Sequence, residues 1–353
     1  MVRNVGQLFY MRSDLSGNNT QTFDEFAREF GFEPSGVNDY YGLVQVQVDR
    51  LRAGGTALGP SHERVFQMAL NRLADPAANC SEKTVNLVLE PAQAPAPARH
   101  IRGTFDFVRD NMDLVATLAR ELAAIQMSAP TGKSLNISVC YAQEMNSADS
   151  AWGPPVSGDR SSQVNGFVET FIAVRELFRQ YAPAIRFAFS PGLRADRTLS
   201  GIRPYWPDTE FGKSVDIVGA TWYVHTSKQF DPAAKLLSDY VSYYEHANKP
   251  FALDELGGAG GSLNPAVYRD NDAFLDPMLE FVGDLAVPLE YVTLFVDRQK
   301  WGCDASLQFL RPSVQPLSVA NPVAATRRSL IGSPPRPRGP WMRNIPAVRA
   351  WSP

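Results

Sequence analysis

The chain reads as an α/β protein, a single (β/α)8 TIM barrel with a Pro/Arg-rich C-terminal extension, and three observations carry that reading. Eight short apolar runs rich in strand-forming residues recur between residues 5 and 296. Amphipathic stretches with helical spacing stand between most of them. Each apolar run gives way to a polar or aromatic segment, the pattern of strands whose C-terminal ends share one rim. Alternation of strand and helix favours a parallel sheet, and eight units favour closure into a barrel. Such a barrel needs about 250 residues, which a 353-residue chain supplies, and 44% hydrophobic against 20% charged residues can fill its core. The barrel is expected over residues 1–310 and a basic, Pro-rich arm over 311–353.

Val5–Met11 (VGQLFYM) is the first expected strand, and Thr22–Phe30 an amphipathic helix with Phe23, Phe26 and Phe30 on one face. Val37 opens a short second strand running into Asn38, Asp39, Tyr40 and Tyr41, and His62–Leu73 is helical. The third strand, Lys83–Leu89 (KTVNLVL), ends at Glu90 and meets a Pro/Ala-rich loop. Phe107–Gln126 keeps the 3.6-residue period most strongly of all segments. The fourth strand, Leu135–Tyr141, breaks at once into Gln143, Glu144 and Asn146. After a polar loop come a helix at Val164–Tyr181 and a strand at Ile185–Ser190, whose following loop holds Tyr205, Trp206 and Asp208. Val215–Tyr223 (VDIVGATWY) is the sixth strand, Ala233–Ala247 a helix, and Phe251–Leu253 the seventh strand, ending at Asp254 and Glu255 before glycines. A helix at Asp276–Leu285 and a strand at Tyr291–Val296 complete the count, with Asp297 and Trp301 past its end.

Composition excludes several classes. The formal net charge is −3, which carries no nucleic-acid signature. The charge is uneven: residues 305–353 hold seven Arg and no acid, leaving 27 basic against 37 acidic residues, a net of −10, in the rest. Cys80, Cys140 and Cys303 are too few and scattered for a disulfide framework or a zinc site. No apolar run reaches the roughly 18 residues of a membrane span. The opening MVRNVGQLFYMRSD lacks the apolar core of a signal peptide, so the compartment is the cytosol unless a leader has been removed. No His/Asp/Glu set has metal spacing, and the GGAGG of Gly257–Gly261 lacks the Lys-Ser/Thr of a phosphate loop, so neither metal nor cofactor is expected. Ser190-Pro191 lacks a nucleophile elbow, which disfavours a serine hydrolase. The oligomeric state is left open.

Two stretches share one grammar. In LNISVCYAQEMN a buried strand ends by presenting Glu144 between Gln143 and Asn146, and about a hundred residues later KPFALDELGG ends in Asp254 and Glu255. Two strand-end glutamates on one barrel rim suit glycoside hydrolysis, where one carboxylic acid protonates the leaving oxygen and the other carboxylate acts across the anomeric carbon; in the retaining version they sit about 5–5.5 Å apart. Gln143 and Asn146 suit hydrogen bonds to sugar hydroxyls. Trp152, Trp206, Trp222 and Trp301 suit stacking on pyranose faces. Glu90 and Asp39 are further strand-end acids, more often structural than catalytic, and each is a candidate to bind substrate. His225 is the one histidine near the expected mouth and a candidate to face substrate, while His62 and His100 lie in polar surroundings and read as solvated.

YAQEMNSADSAW (Tyr141–Trp152) resembles the acid/base motif after strand 4 in glycoside hydrolase family 26, a His-Glu pair followed by Met-Asn and aromatics. FAFSPGLR with RPYWPD resembles the family's strand-5 region, VDIVGATWY its strand-6 segment ending in a Tyr that hydrogen-bonds the nucleophile, and KPFALDELGG its strand-7 segment ending in the nucleophilic Glu. The order holds over roughly residues 5–305, with the specific segments between 137 and 258. The resemblance implies a retaining glycosidase of the same clan, with Glu144 as acid/base, Glu255 as nucleophile and Tyr223 as its partner. It also shows departures: Gln143 stands for the family's His, Cys140 for its Arg, and Leu89-Glu90 for its Trp-His, while Trp152 alone remains of an aromatic cluster. Those positions hold sugar beside the scissile bond in the family, so mannan is not carried over. The expected partner is a polysaccharide or oligosaccharide. The competing readings are a transglycosylase on the same site and a carbohydrate-binding barrel without chemistry.

Overall fold

The computed structural model describes residues 5–12, 23, 27, 33–78, 80–91, 104–148, 150–155, 160–208, 213–224, 227–258 and 271–296. The basic arm at 311–353, His100, His225 and Trp301, and all of the expected helix at 22–30 but Phe23 and Ala27, lie outside the described residues.

Eight strands form one parallel sheet: β1 (Val5–Arg12), β2 (Gly36–Gly42), β3 (Glu82–Glu90), β4 (Ser134–Tyr141), β5 (Arg186–Phe189, resumed at Gly192–Leu193), β6 (Ile217–Val218, resumed at Thr221–Val224), β7 (Phe251–Gly258) and β8 (Leu289–Val296). Each pairs with its neighbour in sequence, and β8 pairs with both β7 and β1, so the sheet closes on itself. The helical elements between them are α1 (Gln45–Arg52), α2 (Gly59–Ala74), α3 (Thr104–Asp110), α4 (Met112–Met127), α5 (Arg160–Tyr181), α6 (Leu199–Ile202), α7 (Ser227–Tyr244) and α8 (Asn271–Gly283). The barrel is therefore the fold that the alternation of patterns predicts.

Three details differ from the expectation. Helix α1 follows β2 within a stretch (QVQVDRLR) whose alternation of Val with polar residues masks a helix of only two turns. The long helix expected at Phe107–Gln126 is two, α3 and α4, parted at Asn111. The sixth strand is interrupted at Gly219 and Ala220, because the chain there passes tight against another side chain: a Cβ on Gly219 would stand 2.0 Å from Asp254 Oδ2.

Period-two alternation sorts the strand residues between two cores. Val88, Cys140, Ala188, Ile217, Ala252 and Tyr291 pack together inside the barrel. The intervening residues face the helices. Phe187 and Phe189 of β5, with Tyr141 of β4, meet Phe167, Phe171 and Phe178, which α5 places on one stripe at helical spacing. Phe167 is fully buried at the centre of that cluster, where truncation to alanine costs roughly 3–5 kcal/mol.

Strand β7 breaks the alternation. Val218 pairs with Phe251 and Thr221 with Glu255, three steps on β6 against four on β7. On its other side Val292 pairs with Leu253 and Leu294 with Leu256, two steps against three, after an opposite shift of three against two between Leu289 and Val292. Both neighbours thus meet one extra residue in β7, a β-bulge across Asp254 and Glu255. In a regular strand those two acids would point to opposite faces. The bulge turns both inward, Asp254 into the barrel core and Glu255 toward the C-terminal mouth.

Candidate active site

Past Tyr141 the chain folds back sharply. Ala142 and Glu144 adopt left-handed backbone angles, φ +51° and +57°, a conformation costing non-glycine residues on the order of 1–3 kcal/mol. Neighbouring strand ends hold it. Ala142 N–H donates to Leu89 O at 2.8 Å, and Glu144 N–H donates to Ser190 O at 2.9 Å. The Asn146 amide accepts from Gly192 N–H at 2.7 Å and donates to Gly192 O at 2.9 Å. Trp152 Nε1–H donates to Gln143 O at 2.7 Å, while the Gln163 amide donates to Met145 O and Trp152 O. So clamped, Glu144 is half-buried and its Oε1 accepts a hydrogen bond from Thr221 Oγ1 at 2.5 Å.

Thr221 ties the two halves of the site together. It is in register with Glu255 on the adjacent parallel strand, a Cα separation near 4.8 Å with both side chains on the same face. The Glu144 carboxylate therefore touches the residue next to Glu255. Glu255 is buried, and its Oε2 accepts from Tyr223 Oη at 2.5 Å. Tyr223 lies flat across Gly257: a Cβ there would stand 2.6 Å from Tyr223 Cε1.

Below Glu255, Asp254 is fully enclosed. Its Oδ1 accepts from Tyr291 Oη at 2.5 Å, its backbone carbonyl accepts from Asn38 Nδ2 at 2.8 Å, and Asn38 in turn meets Asn86 and Thr293. Ser138 Oγ donates to Asn86 Oδ1. Burial pushes the Asp254 carboxyl from 3.8 up to about 6, against the hydrogen bond from Tyr291 that lowers it.

Not every residue expected at the rim is brought there. Glu90 continues the inward series Asn86, Val88 along β3, so it belongs to the mouth; burial raises its carboxyl to about 7. Gln143 is buried beside Glu144, and among the described residues its Oε1 has no hydrogen-bond partner. Asn146 is occupied by Gly192, and Trp152 is buried as a brace for the turn. Trp222 is turned away: it lies between the inward Thr221 and Tyr223, is fully buried, and packs on Phe230 and Phe281 in the helix layer. Trp206 also sits on the helix side, edge-on to Phe189 at 5.1 Å. Asp39 alternates with the inward Asn38 and so faces α2, where its Oδ2 meets His62 Nδ1 at 2.8 Å; burial raises its carboxyl and the histidine opposes that. His62 is thus paired, and set edge-on to Tyr41 at 5.0 Å, rather than solvated.

Sequence reasoning passed over Thr221, Tyr40 and the role of Asp254. Thr221 and Tyr40 could have been found by alternation, two residues before Tyr223 and beside Asp39; Tyr40 packs on the inward cluster with its hydroxyl buried and, among the described residues, unpartnered. Asp254 follows Ala252 inward by the same alternation, whereas Glu255 joins it only through the bulge, which has no signal in composition. Among the described residues no group of His, Cys, Asp and Glu could hold a metal, and no helix is long and apolar enough to cross a membrane.

Fold and site together define a parallel (β/α)8 barrel with two glutamates at the C-terminal ends of β4 and β7. No protein-family model matches the chain, and no curated protein matches it in sequence. Solved structures do match. A GH26 β-mannanase from Bacteroides ovatus superposes with a TM-score of 0.56 at 16% identity, covering 86% of this chain and 83% of that one. GH26C from a Muricauda species gives 0.61 at 14% identity over 88% and 85%, and an endo-β-1,4-mannanase from Cellulomonas fimi gives 0.59 at 15% over 87% and 70%. The chain shares the fold of these proteins over most of its length.

Proposed function

We propose that this chain is a divergent relative of glycoside hydrolase family 26 and a retaining glycoside hydrolase acting on a polysaccharide or oligosaccharide. One observation carries the reading: the Glu144 carboxylate is hydrogen-bonded to Thr221, the register partner of Glu255, and Glu255 is held by Tyr223. Glu144, as a carboxylic acid, gives its proton to the glycosidic oxygen while a Glu255 oxygen bonds to the anomeric carbon and the leaving sugar departs as an alcohol. Glu144, now a carboxylate, takes a proton from water as that water displaces Glu255 and restores both groups. Tyr223 fixes the nucleophile's orientation with a charge-assisted hydrogen bond. The fold shared with named mannanases makes β-mannan the first polymer to try. The Gln143, Cys140 and Glu90 substitutions around the acid/base argue for a different sugar in the adjoining subsite.

The test is a polysaccharide panel of mannans, xylans, mixed-linkage glucans and arabinans, with wild type beside Glu144→Gln and Glu255→Gln. Sugar release by wild type alone, with the first-formed anomer retaining its configuration by proton NMR, supports the reading. Equal release by all three proteins would refute the carboxylate assignment. Polymer binding without release in any of them would leave a barrel that holds sugar and does no chemistry.

A further inference from the structure

Thr221 opens the resumed half of β6, just after the interruption at Gly219 and Ala220. Its backbone N–H donates to Pro191 O at 3.0 Å. It stands in register with Gly192 on one side and Glu255 on the other. Gly192 puts no side chain between the strands, and the Glu144 side chain uses that space. A Cβ on Gly192 would lie 3.5 Å from both Glu144 Cγ and Cδ. The glutamate therefore runs across the bare strand, and its carboxylate arrives at the Thr221 hydroxyl, 2.5 Å from Oε1.

The direction of that hydrogen bond is fixed by enclosure. Thr221 is fully buried, and among the described residues Glu144 Oε1 is the one partner of its hydroxyl. A hydroxyl carries a single hydrogen, and an enclosed donor left unmet is costly. Were Glu144, as an acid, to donate through Oε1 instead, the Thr221 hydrogen would be buried with no acceptor. Donation from Thr221 thus persists whether Glu144 is an acid or a carboxylate. An Oε1 that accepts from Thr221 holds no proton of its own, and the acidic hydrogen of Glu144 belongs to Oε2.

We propose that Thr221 is a positioning residue for Glu144, confining the transferred proton to Oε2 and holding Oε1 in place through both steps of the reaction. Its use in turnover rests on the hydrolase reading, whereas the placement of the proton rests on the geometry alone. In the first step the proton leaves Oε2 for the glycosidic oxygen. In the second, Oε2 takes a proton from the attacking water, so one carboxyl group serves as acid and then as base without turning over. Because a hydrogen bond is stronger to a charged acceptor, the same donor favours the carboxylate over the acid.

Carbon-13 NMR on the full chain with glutamate Cδ labelled reads the Glu144 carboxyl directly, its signal identified by its absence from Glu144→Gln. Thr221→Val keeps the side chain's shape and removes the donor. The Glu144 titration midpoint should then rise by about one pH unit, the roughly tenfold gap between hydrogen-bonding a carboxylate and a neutral acid. Thr221→Ala removes the same donor and should move the midpoint the same way, while Thr221→Ser keeps the donor and should leave it in place. On the polymer that the panel identifies, Thr221→Val should shift the basic limb of kcat/KM upward by the same amount and lower kcat about tenfold. A dinitrophenyl glycoside of the same sugar, whose leaving group departs without a proton, should keep its kcat/KM within about twofold, which a merely structural role for Thr221 would not permit. The proposal is overturned if the midpoint stays put in both hydroxyl-free variants, if Thr221→Ser shifts it as far as Thr221→Val, or if polymer and dinitrophenyl glycoside lose rate alike. No sugar release by wild type, with the midpoint risen in Thr221→Val, would end the hydrolase reading and support the control of the Glu144 proton.

Discussion

Replacing Asp254 with asparagine should stabilise the protein at neutral pH, and should do so by an amount that depends on pH in a defined way. Asp254 is wholly buried, and its carboxyl is raised from 3.8 to about 6 by burial, its bond from Tyr291 notwithstanding. Below pH 4 the group is neutral in both the folded and unfolded chain. Between about 4 and 6 only the unfolded chain releases the proton, so stability falls as pH rises. Above 6 both states are ionised and the whole cost stands, about 3 kcal/mol for this interval. Asparagine keeps an oxygen for Tyr291 and carries no charge. Other titrating groups contribute to both proteins, so the difference between variant and wild type isolates Asp254. Urea unfolding followed by circular dichroism at pH 4, 5, 6 and 7 should show that difference growing in the variant's favour by about 3 kcal/mol, mostly before pH 6. A difference that stays flat with pH, or that moves toward the wild type, would refute the argument that a buried charge is being carried beneath Glu255.

Other outcomes bear on the mouth. Tyr223→Phe removes the hydrogen bond to Glu255, and kcat on the identified polymer should drop roughly 10- to 100-fold, as expected for losing a bond to a charged group. Gly257→Ala should lower kcat to a similar degree by pushing the Tyr223 ring aside; wild-type turnover in this variant would remove Tyr223 from the mechanism. Glu90→Gln should flatten the pH dependence of KM around 7, where the wild-type carboxyl ionises and becomes a stronger acceptor for sugar hydroxyls, by a factor of roughly two to ten. Asp39→Ala should cost roughly 1–3 kcal/mol in urea unfolding by leaving His62 unpaired, with kcat unchanged, because Asp39 faces α2.

The barrel was legible because most strands carry an apolar run between segments of helical period, and burial on both faces of a parallel sheet writes that pattern strongly. The elements misjudged are those where a local feature overrides the pattern: the two turns of α1, the break at Asn111, and the gap in β6 that Asp254 and Gly219 impose together. At the site, Glu144 and Glu255 were readable as strand-end acids. Facing was harder. Trp222 and Tyr223 are consecutive, so in a regular strand only one can look into the mouth, and the tyrosine does. The same rule sends Asp39 outward because Asn38 is inward. Trp206 lies on the helix side through the path of a whole connection, which no short window of sequence contains. Asp254 and Glu255 defeat the rule in the other direction, since alternation would have sent one of them out.

The extra residue in β7 makes the position of Glu255 a matter of counting. Shortening the strand by one residue between Leu253 and Glu255 would restore an even ladder with β6 while leaving every remaining side chain unchanged. From that point onward the faces would no longer match the frame set by Phe251 and Ala252. Whoever transplants this acid into another barrel must bring the length of the segment along with its letters, and a substitution scan, which preserves length, would never reveal the requirement. Single-residue deletions are the experiment to which this strand should be most sensitive.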